Sequence, residues 1–303
     1  MTTQRVEKTW QKQGLGGYAT EAIVGTLAHY GVAVDEAGFR QRAQSSYPSG
    51  IAEEWEEGWK GTGPFASFPA HAAAELWRRW VPDQLSPEDF AEALAALMNA
   101  LAMRINGEAG APVAAAFEAF GKARARMPLA PDGSPDESFL EDSLGAFDEE
   151  AVELFDELAE ALAEEGHVAD AEAFAELEEF LLPARKGIAS AVVRAARGER
   201  DPAIASLVAL SADAGRSRDS RLLATDGLLH LEAYPEGAAA AKALLAEAET
   251  EKDYHLALDL CARLEHTYKA LDDRAALAAL AKDQKRLEQA HDAAHPGHRH
   301  RHG

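Results

Sequence analysis

The chain has 303 residues, of which 47% are hydrophobic and 27% charged, a composition typical of a folded globular protein and not of a disordered one. Its formal charge of −22 argues against nucleic acid as a partner, because phosphate contacts need a basic surface. One cysteine excludes an intramolecular disulfide and a cysteine-rich metal site. No apolar stretch reaches the ~20 residues that span a bilayer, and the amino terminus lacks the apolar core of a signal peptide. We therefore expect a cytoplasmic protein without membrane contact. Arginine outnumbers lysine about two to one, which favours a GC-rich bacterial source.

The composition also predicts the fold class. Much of the apolar content is alanine, which has the best helix propensity, and aromatic residues make up only 7%. Runs of Val, Ile and Thr in strict alternation, the pattern typical of β-strands, are missing from the sequence. An all-α fold follows, with an N-terminal helical domain and then stacked antiparallel helical hairpins.

Residues 1–127 are predicted to form an aromatic-rich all-α domain. Apolar residues recur at helical spacing, and helix-capping residues mark several starts, most clearly Ser86-Pro87-Glu88-Asp89. The expected helices are 17–31, a short one capped by Asp35, 70–80, 87–105 and 112–126.

Four tryptophans in this domain are a candidate binding site. Trp55 and Trp59 are four residues apart and Trp77 and Trp80 are three apart, so each pair is expected to share a helical face. Such rings could line a groove for a peptide or a flat ligand, or they could be the core of an otherwise alanine-rich domain. The core interpretation is the favoured one of the two.

Residues 128–146 are rich in Pro, Gly, Ser and Asp and are predicted to be an acidic linker. They belong to a longer acidic segment, Met127–Pro183, which holds 19 Asp and Glu and no Lys or Arg. This segment could dock a basic partner, form a solvated helix face, or be neutralised by arginines that follow it. Those basic residues are Arg185, Lys186, Arg194, Arg197, Arg200, Arg216, Arg218 and Arg221.

Residues 147–290 are predicted to form helices separated by tight turns. Connections this short make neighbouring helices antiparallel. The expected helices are 148–165, 168–182, 184–197, 202–213, 219–233, 236–249, 252–270 and 273–290.

The first of these hairpins carries a recognisable pattern of large and small residues. In order, its positions are Phe155, Leu158, Ala159, Leu162, Gly166, Ala171 and Pro183. This pattern resembles a tetratricopeptide repeat, with Phe155 and Leu162 where the family usually has Trp and Tyr. Glu178 departs from the pattern, because the family prefers a small residue there. A weaker echo follows in Leu260, Cys261, Leu264, Tyr268, Ala276 and Leu280. The resemblance covers about half of the chain and implies that a concave helical surface recognises a partner.

The leading functional hypothesis is a non-catalytic scaffold or adaptor that binds another protein, favouring a basic one. No nucleophile, metalloprotease, phosphate-binding or dinucleotide motif occurs in the sequence. An enzyme in the first domain would need convergent polar groups, such as His71 and Glu75. The expected partner-binding residues are Phe155, Leu162, Arg194 and Arg197 of the hairpins and Trp55, Trp59, Trp77 and Trp80 of the first domain.

The alternative hypothesis is metal binding or delivery through the final residues, 291–303, which are predicted to be a disordered tail. Neutral imidazoles are good ligands for Ni²⁺, Cu²⁺ and Zn²⁺. The candidate ligands are His291, His295, His298, His300 and His302. A divalent transition metal at this tail is the one cofactor that the sequence suggests.

Overall fold

The structure is a computed structural model that describes residues 9–145 and 147–294. Every named element in this part of the chain is helical, and the one other backbone feature is an isolated bridge between Leu129 and Pro135. The all-α prediction is thus confirmed. None of the described helices is both long and apolar enough to cross a membrane. The chain divides into two compact units, an amino-terminal one (Met1–Arg104 and Glu108–Glu153) and a carboxy-terminal one (Leu154–Gly303 and Ile105–Gly107).

Two helices of the amino-terminal unit begin at side-chain caps that the sequence predicts. Asp35 accepts a 2.7 Å hydrogen bond from the Gly38 N–H, and the Ser86 hydroxyl accepts one of 3.1 Å from Asp89 N–H. The helices are α1 (Thr9–Gln13), α2 (Thr20–His29), α3 (Glu36–Arg42), α4 (Pro48–Glu56), α5 (Phe68–Trp80), α6 (Pro87–Ile105), α7 (Val113–Arg124) and α8 (Glu137–Leu144).

The region predicted to be a linker, 128–146, contains helix α8. Asp136 caps this helix by accepting a 3.0 Å hydrogen bond from Phe139 N–H. The Phe139 side chain is fully buried and lies 5.7 Å from the Tyr47 ring and 5.5 Å from the Phe90 ring, centroid to centroid. Leu140 is buried beside it, so the turn-forming composition of this region conceals a packed helix.

The helices of the carboxy-terminal unit follow the expected pattern closely. They are α9 (Glu149–Glu164, whose first residues belong to the other unit), α10 (Val168–Leu181), α11 (Ala189–Ala196), α12 (Arg200–Ala212), α13 (Arg218–His230), α14 (Tyr234–Glu251), α15 (Tyr254–Ala270) and α16 (Arg274–Ala294). Helix α11 is shorter than predicted, because Pro183–Arg185 forms a separate 3-10 turn and Gly187 takes a positive φ of 82° before it starts.

Adjacent helices pack against one another throughout the carboxy-terminal unit. Each helix from α10 to α16 contacts the next one along the chain, and α12 also contacts α14. The Phe155 and Phe174 rings, 5.4 Å apart, join α9 to α10. Two clusters of buried side chains lie between these layers, one around Leu207 and Leu228 and the other around Leu244 and Leu264. This serial packing is compatible with a helical-repeat solenoid.

Helix α16 continues to Ala294, past the predicted end at residue 290. No residue between 291 and 294 breaks a helix, and the next proline is Pro296. His291 is consequently part of this helix and not of a disordered tail. The other four tail histidines, His295, His298, His300 and His302, lie outside the described residues.

Candidate partner-binding groove

The carboxy-terminal unit contains a cavity of about 300 Å³, at the lower end of the size of ligand pockets. It is formed by α9, α11 and α13, the first helices of three successive hairpins, with the end of α10 and the turn that follows. The lining residues are Asp156, Glu157, Ala159, Glu160, Glu178, Arg185, Ile188, Ala189, Val192, Leu223, Asp226, Gly227 and His230. We call this cavity the groove.

Helix α9 shows how the sequence positions these residues. Phe155, Leu158 and Leu162 are buried, since they recur at the spacing that places side chains on one face of a helix. Asp156, Glu157 and Glu160 project from the other side, and all three line the groove. One helix thus supplies both a core face and a carboxylate wall.

Arg185 joins two of these helices at one end of the groove. Its Nη1 donates a 2.6 Å hydrogen bond to Glu178 Oε1 of α10, and its Nη2 lies 2.9 Å from Asp156 Oδ1 of α9. Burial raises the pKa of the Glu178 carboxyl, and the guanidinium of Arg185 opposes that rise. Glu178, which departs from the repeat pattern, is therefore buried and paired with the Arg185 cation on the turn that follows its helix.

Two further polar contacts cross the groove or lie at its edge. His230 Nε2 of α13 is 2.7 Å from Glu160 Oε2 of α9, so these two helices are connected across α11. Asp226 of α13 accepts hydrogen bonds of 2.6 and 3.0 Å from Arg263 of α15. Hydrogen bonding to Asp226 is the main cause of a raised pKa for Arg263, so this guanidinium stays charged.

The groove combines an apolar floor with acidic walls. Five carboxylates line it, and the only lining side chain that is always cationic is that of Arg185. The apolar lining comes from Ala159, Ile188, Ala189, Val192 and Leu223. Such a surface suits a ligand with a positive charge and an aliphatic stem, because both parts then find a complementary environment.

The predicted partner-binding residues of the hairpins lie beside the groove and not in its lining. Phe155 is 7% exposed and Leu162 is fully buried, because both side chains face the core of the unit. Arg194 Nη1 donates a 3.3 Å hydrogen bond to Ser206 Oγ, and Arg197 pairs with Glu172 and Glu199. Arg185 and Arg197 pair with carboxylates of the acidic segment, whereas Arg216, Arg218 and Arg221 pair with acids that follow it.

The four tryptophans pack in the core of the amino-terminal unit. Trp55 and Trp77 are 4% and 1% exposed, and Trp59 and Trp80 are partly buried against the same cluster. The expected shared face of Trp55 and Trp59 does not form, because α4 ends at Glu56. Trp59 instead stacks on Phe68, with ring planes 6° apart. This packing matches the core interpretation of the cluster.

The amino-terminal unit also has an open cavity of about 490 Å³, whose charged lining residues already have partners in the chain. Arg78 Nη2 donates a 2.6 Å hydrogen bond to Asp89 Oδ1, and Arg126 Nη2 donates one of 3.2 Å to the Gln84 carbonyl. Neither His71 nor Glu75 lines this cavity; Glu75 is buried and lies 2.6 Å from the Arg79 guanidinium.

The chemistry of single residues adds little reactivity. Burial raises the pKa of the Cys261 thiol to about 11, so it stays protonated and is a poor nucleophile at neutral pH. Among the described residues, no three or more His, Cys, Asp or Glu side chains are grouped so that they could hold a metal ion.

Comparison with known proteins gives no match to any family model, curated protein or solved structure.

Sequence reasoning missed most of the groove. Glu157 and Glu160 were visible only as part of the acidic segment, and Asp226 and His230 carried no motif. A signal was present, since polar residues adjacent to Phe155 and Leu162 must face away from the core. The spacing of Asp156 and Glu160, and of Asp226 and His230, is also four residues, which places each pair on one helical face.

Proposed function

We propose that the carboxy-terminal unit is a tetratricopeptide-like scaffold that binds a cationic segment of a partner protein in the groove, without catalysing a reaction. This proposal rests on the observation that one cavity is lined by both apolar side chains and carboxylates. A lysine or arginine side chain has an apolar stem and a charged head, so it can use both surfaces together.

The charge of the groove supports a basic partner over an acidic one. Glu157 is exposed and accepts no hydrogen bond or ion pair from the described residues, so it can receive a new cation without breaking a contact. Glu160 is 2.7 Å from His230, and an incoming guanidinium can replace this imidazole. An acidic segment would meet five carboxylates in a space of about 300 Å³ and would be repelled.

The serial packing of the helices supports a scaffold. Three first helices, α9, α11 and α13, line the groove, while their second helices pack between them and supply its support. The residues that would contact a partner therefore have a backbone that neighbouring hairpins already fix. Because little further ordering is needed, the entropic cost of association is lower.

The test measures binding of the full chain to labelled peptides by fluorescence anisotropy. A peptide that alternates lysine or arginine with leucine is compared with one that carries glutamate in place of the cations. We expect the basic peptide to bind and the glutamate peptide not to bind. The affinity for the basic peptide should be weaker at 0.5 M than at 0.05 M salt, because salt screens exposed charges.

A pair of matched variants locates the binding. E157Q/E160Q removes two charges from the groove, and E164Q/E176Q removes two from exposed helix positions that do not line it. We expect E157Q/E160Q to bind the basic peptide about tenfold more weakly, a loss of about 1.4 kcal/mol in binding free energy. E164Q/E176Q should change the affinity little. Equal affinities of the two variants would refute the groove as the binding site.

A further inference from the structure

Two histidines meet at the last hairpin of the carboxy-terminal unit. His255 lies in the first turn of α15 and His291 in the last turn of α16, and the antiparallel packing of these helices brings their rings together. The two Nε2 atoms are 3.4 Å apart, and the ring planes are 81° apart with centroids separated by 4.6 Å. The sequence alone pointed to His291 but not to His255.

The separation of the two nitrogens is the one that a tetrahedral metal ion needs. With Zn–N bonds of about 2.0–2.1 Å, two ligands at the tetrahedral angle have nitrogens about 3.3–3.4 Å apart. Adjacent ligands of a square-planar ion at similar bond lengths would be about 2.9 Å apart. At 3.4 Å the two nitrogens are also within reach of a weak N–H···N hydrogen bond, which a bound ion would replace.

A carboxylate lies beside the other nitrogen of one ring. Asp292 Oδ1 is 3.5 Å from Nδ1 of His291, whose side chain is only 12% exposed. A carboxylate in this position favours the tautomer with its proton on Nδ1, which places the lone pair on Nε2, the nitrogen that lies 3.4 Å from Nε2 of His255. Carboxylate, imidazole and metal follow one another in this order in many zinc sites.

We infer that His255 and His291 are two ligands of a zinc site that links α15 to α16. Imidazole suits Zn²⁺, and the nitrogen separation favours a tetrahedral ion over square-planar Ni²⁺ or Cu²⁺. Two imidazoles leave two positions, which water can fill.

The test is Zn²⁺ titration of the full chain by calorimetry, with H255Q as the deciding variant. His255 is exposed and lies 40 residues before His295, so its loss leaves the tail sequence untouched. We expect H255Q and H291Q each to weaken the tightest Zn²⁺ site at least about tenfold. H266Q, which removes another exposed histidine of α15, should bind Zn²⁺ as the unchanged chain does.

A second measurement separates this site from binding by the tail alone. Zn²⁺ held between two helices stabilises the folded hairpin, so it should raise the thermal unfolding midpoint of the unchanged chain and of H266Q but not of H255Q. The same dependence on His255 is expected after H295Q/H298Q/H300Q/H302Q replacement. Zn²⁺ affinity and thermal shift of H255Q equal to those of the unchanged chain would overturn the inference.

Discussion

Arg185 donates a 2.6 Å hydrogen bond from Nη1 to Oε1 of Glu178, whose side chain is only 5% exposed. The pair connects the turn after Pro183 to the second helix of the first hairpin, and Asp156 extends it to the first helix. A buried carboxylate at a position that favours small residues is therefore tolerated because a cation seven residues later neutralises it.

Removal of Arg185 should destabilise the fold more than removal of Glu178's charge. R185A leaves Glu178 buried without its cation, and we expect the free energy of unfolding to fall by about 2–3 kcal/mol. E178Q keeps a carbonyl oxygen that can accept the hydrogen bond, so a loss of about 1 kcal/mol is expected. Urea unfolding followed by circular dichroism measures both changes.

The control for this comparison is R197A. Arg197 pairs with Glu172 and Glu199, which are about half exposed, so its loss should cost no more than about 1 kcal/mol. If R185A were no more damaging than R197A, the Glu178 pair would not stabilise the hairpin.

Glu88 should make the amino-terminal unit less stable as the pH rises. Its Oε1 accepts a 3.1 Å hydrogen bond from Ser49 N–H, whereas its Oε2 is buried and has no hydrogen-bond partner in the described chain. Burial raises the pKa of this carboxyl above its unfolded value of 4.5. The folded state thus holds the proton more tightly, and stability is lost as pH rises through the folded pKa.

The variant E88Q removes this dependence because an amide does not ionise. We expect it to raise the free energy of unfolding at pH 7 by a few tenths to about 1 kcal/mol, and to have a smaller effect at pH 4.5. The measurement is denaturant unfolding at the two pH values. E92Q, at a carboxylate that is 77% exposed, should change stability little at either pH, and a pH-independent gain from E88Q would contradict the explanation.

Gly166 is required by the turn between α9 and α10. Its φ is 80°, a conformation that side chains with a Cβ disfavour, although an added Cβ would meet no atom within 4 Å. G166A should therefore lower the free energy of unfolding by about 1 kcal/mol through backbone strain alone. Thermal or urea unfolding provides the measurement.

Gly121 is the matched control, since an added Cβ there also meets nothing within 4 Å but the residue lies inside α7. G121A should raise the free energy of unfolding by up to about 1 kcal/mol, because alanine favours helix more than glycine does. The two identical substitutions are thus expected to have opposite signs. The same sign for both would show that φ is not what matters at Gly166.

Local patterns in the sequence predicted most helices, but they could not predict which residues of different helices contact one another. The spacing of Phe155 and Leu162 and the capping residue Asp35 act within one helix or turn, so the sequence contains their signal directly. The helix at Glu137–Leu144 was missed because its surroundings have turn composition, and its packing depends on the burial of Phe139 and Leu140 against distant residues.

The candidate sites depend on residues that are distant in sequence. Glu160 meets His230 seventy residues later, and His255 meets His291 across the last hairpin. Periodicity assigns each of these residues to a helical face but not to a partner on another helix. Several arginines after the acidic segment could have paired with Glu178, and the 3-10 turn at Pro183–Arg185 decides in favour of Arg185.

Because its helices pack in series, the carboxy-terminal unit can change in length by whole hairpins during evolution. Each helix from α10 to α16 contacts the next one along the chain. Duplication of one hairpin would extend the array and lengthen the groove while the existing interfaces are kept. A related chain with more hairpins would then present a longer groove built from the same helix-to-helix interfaces.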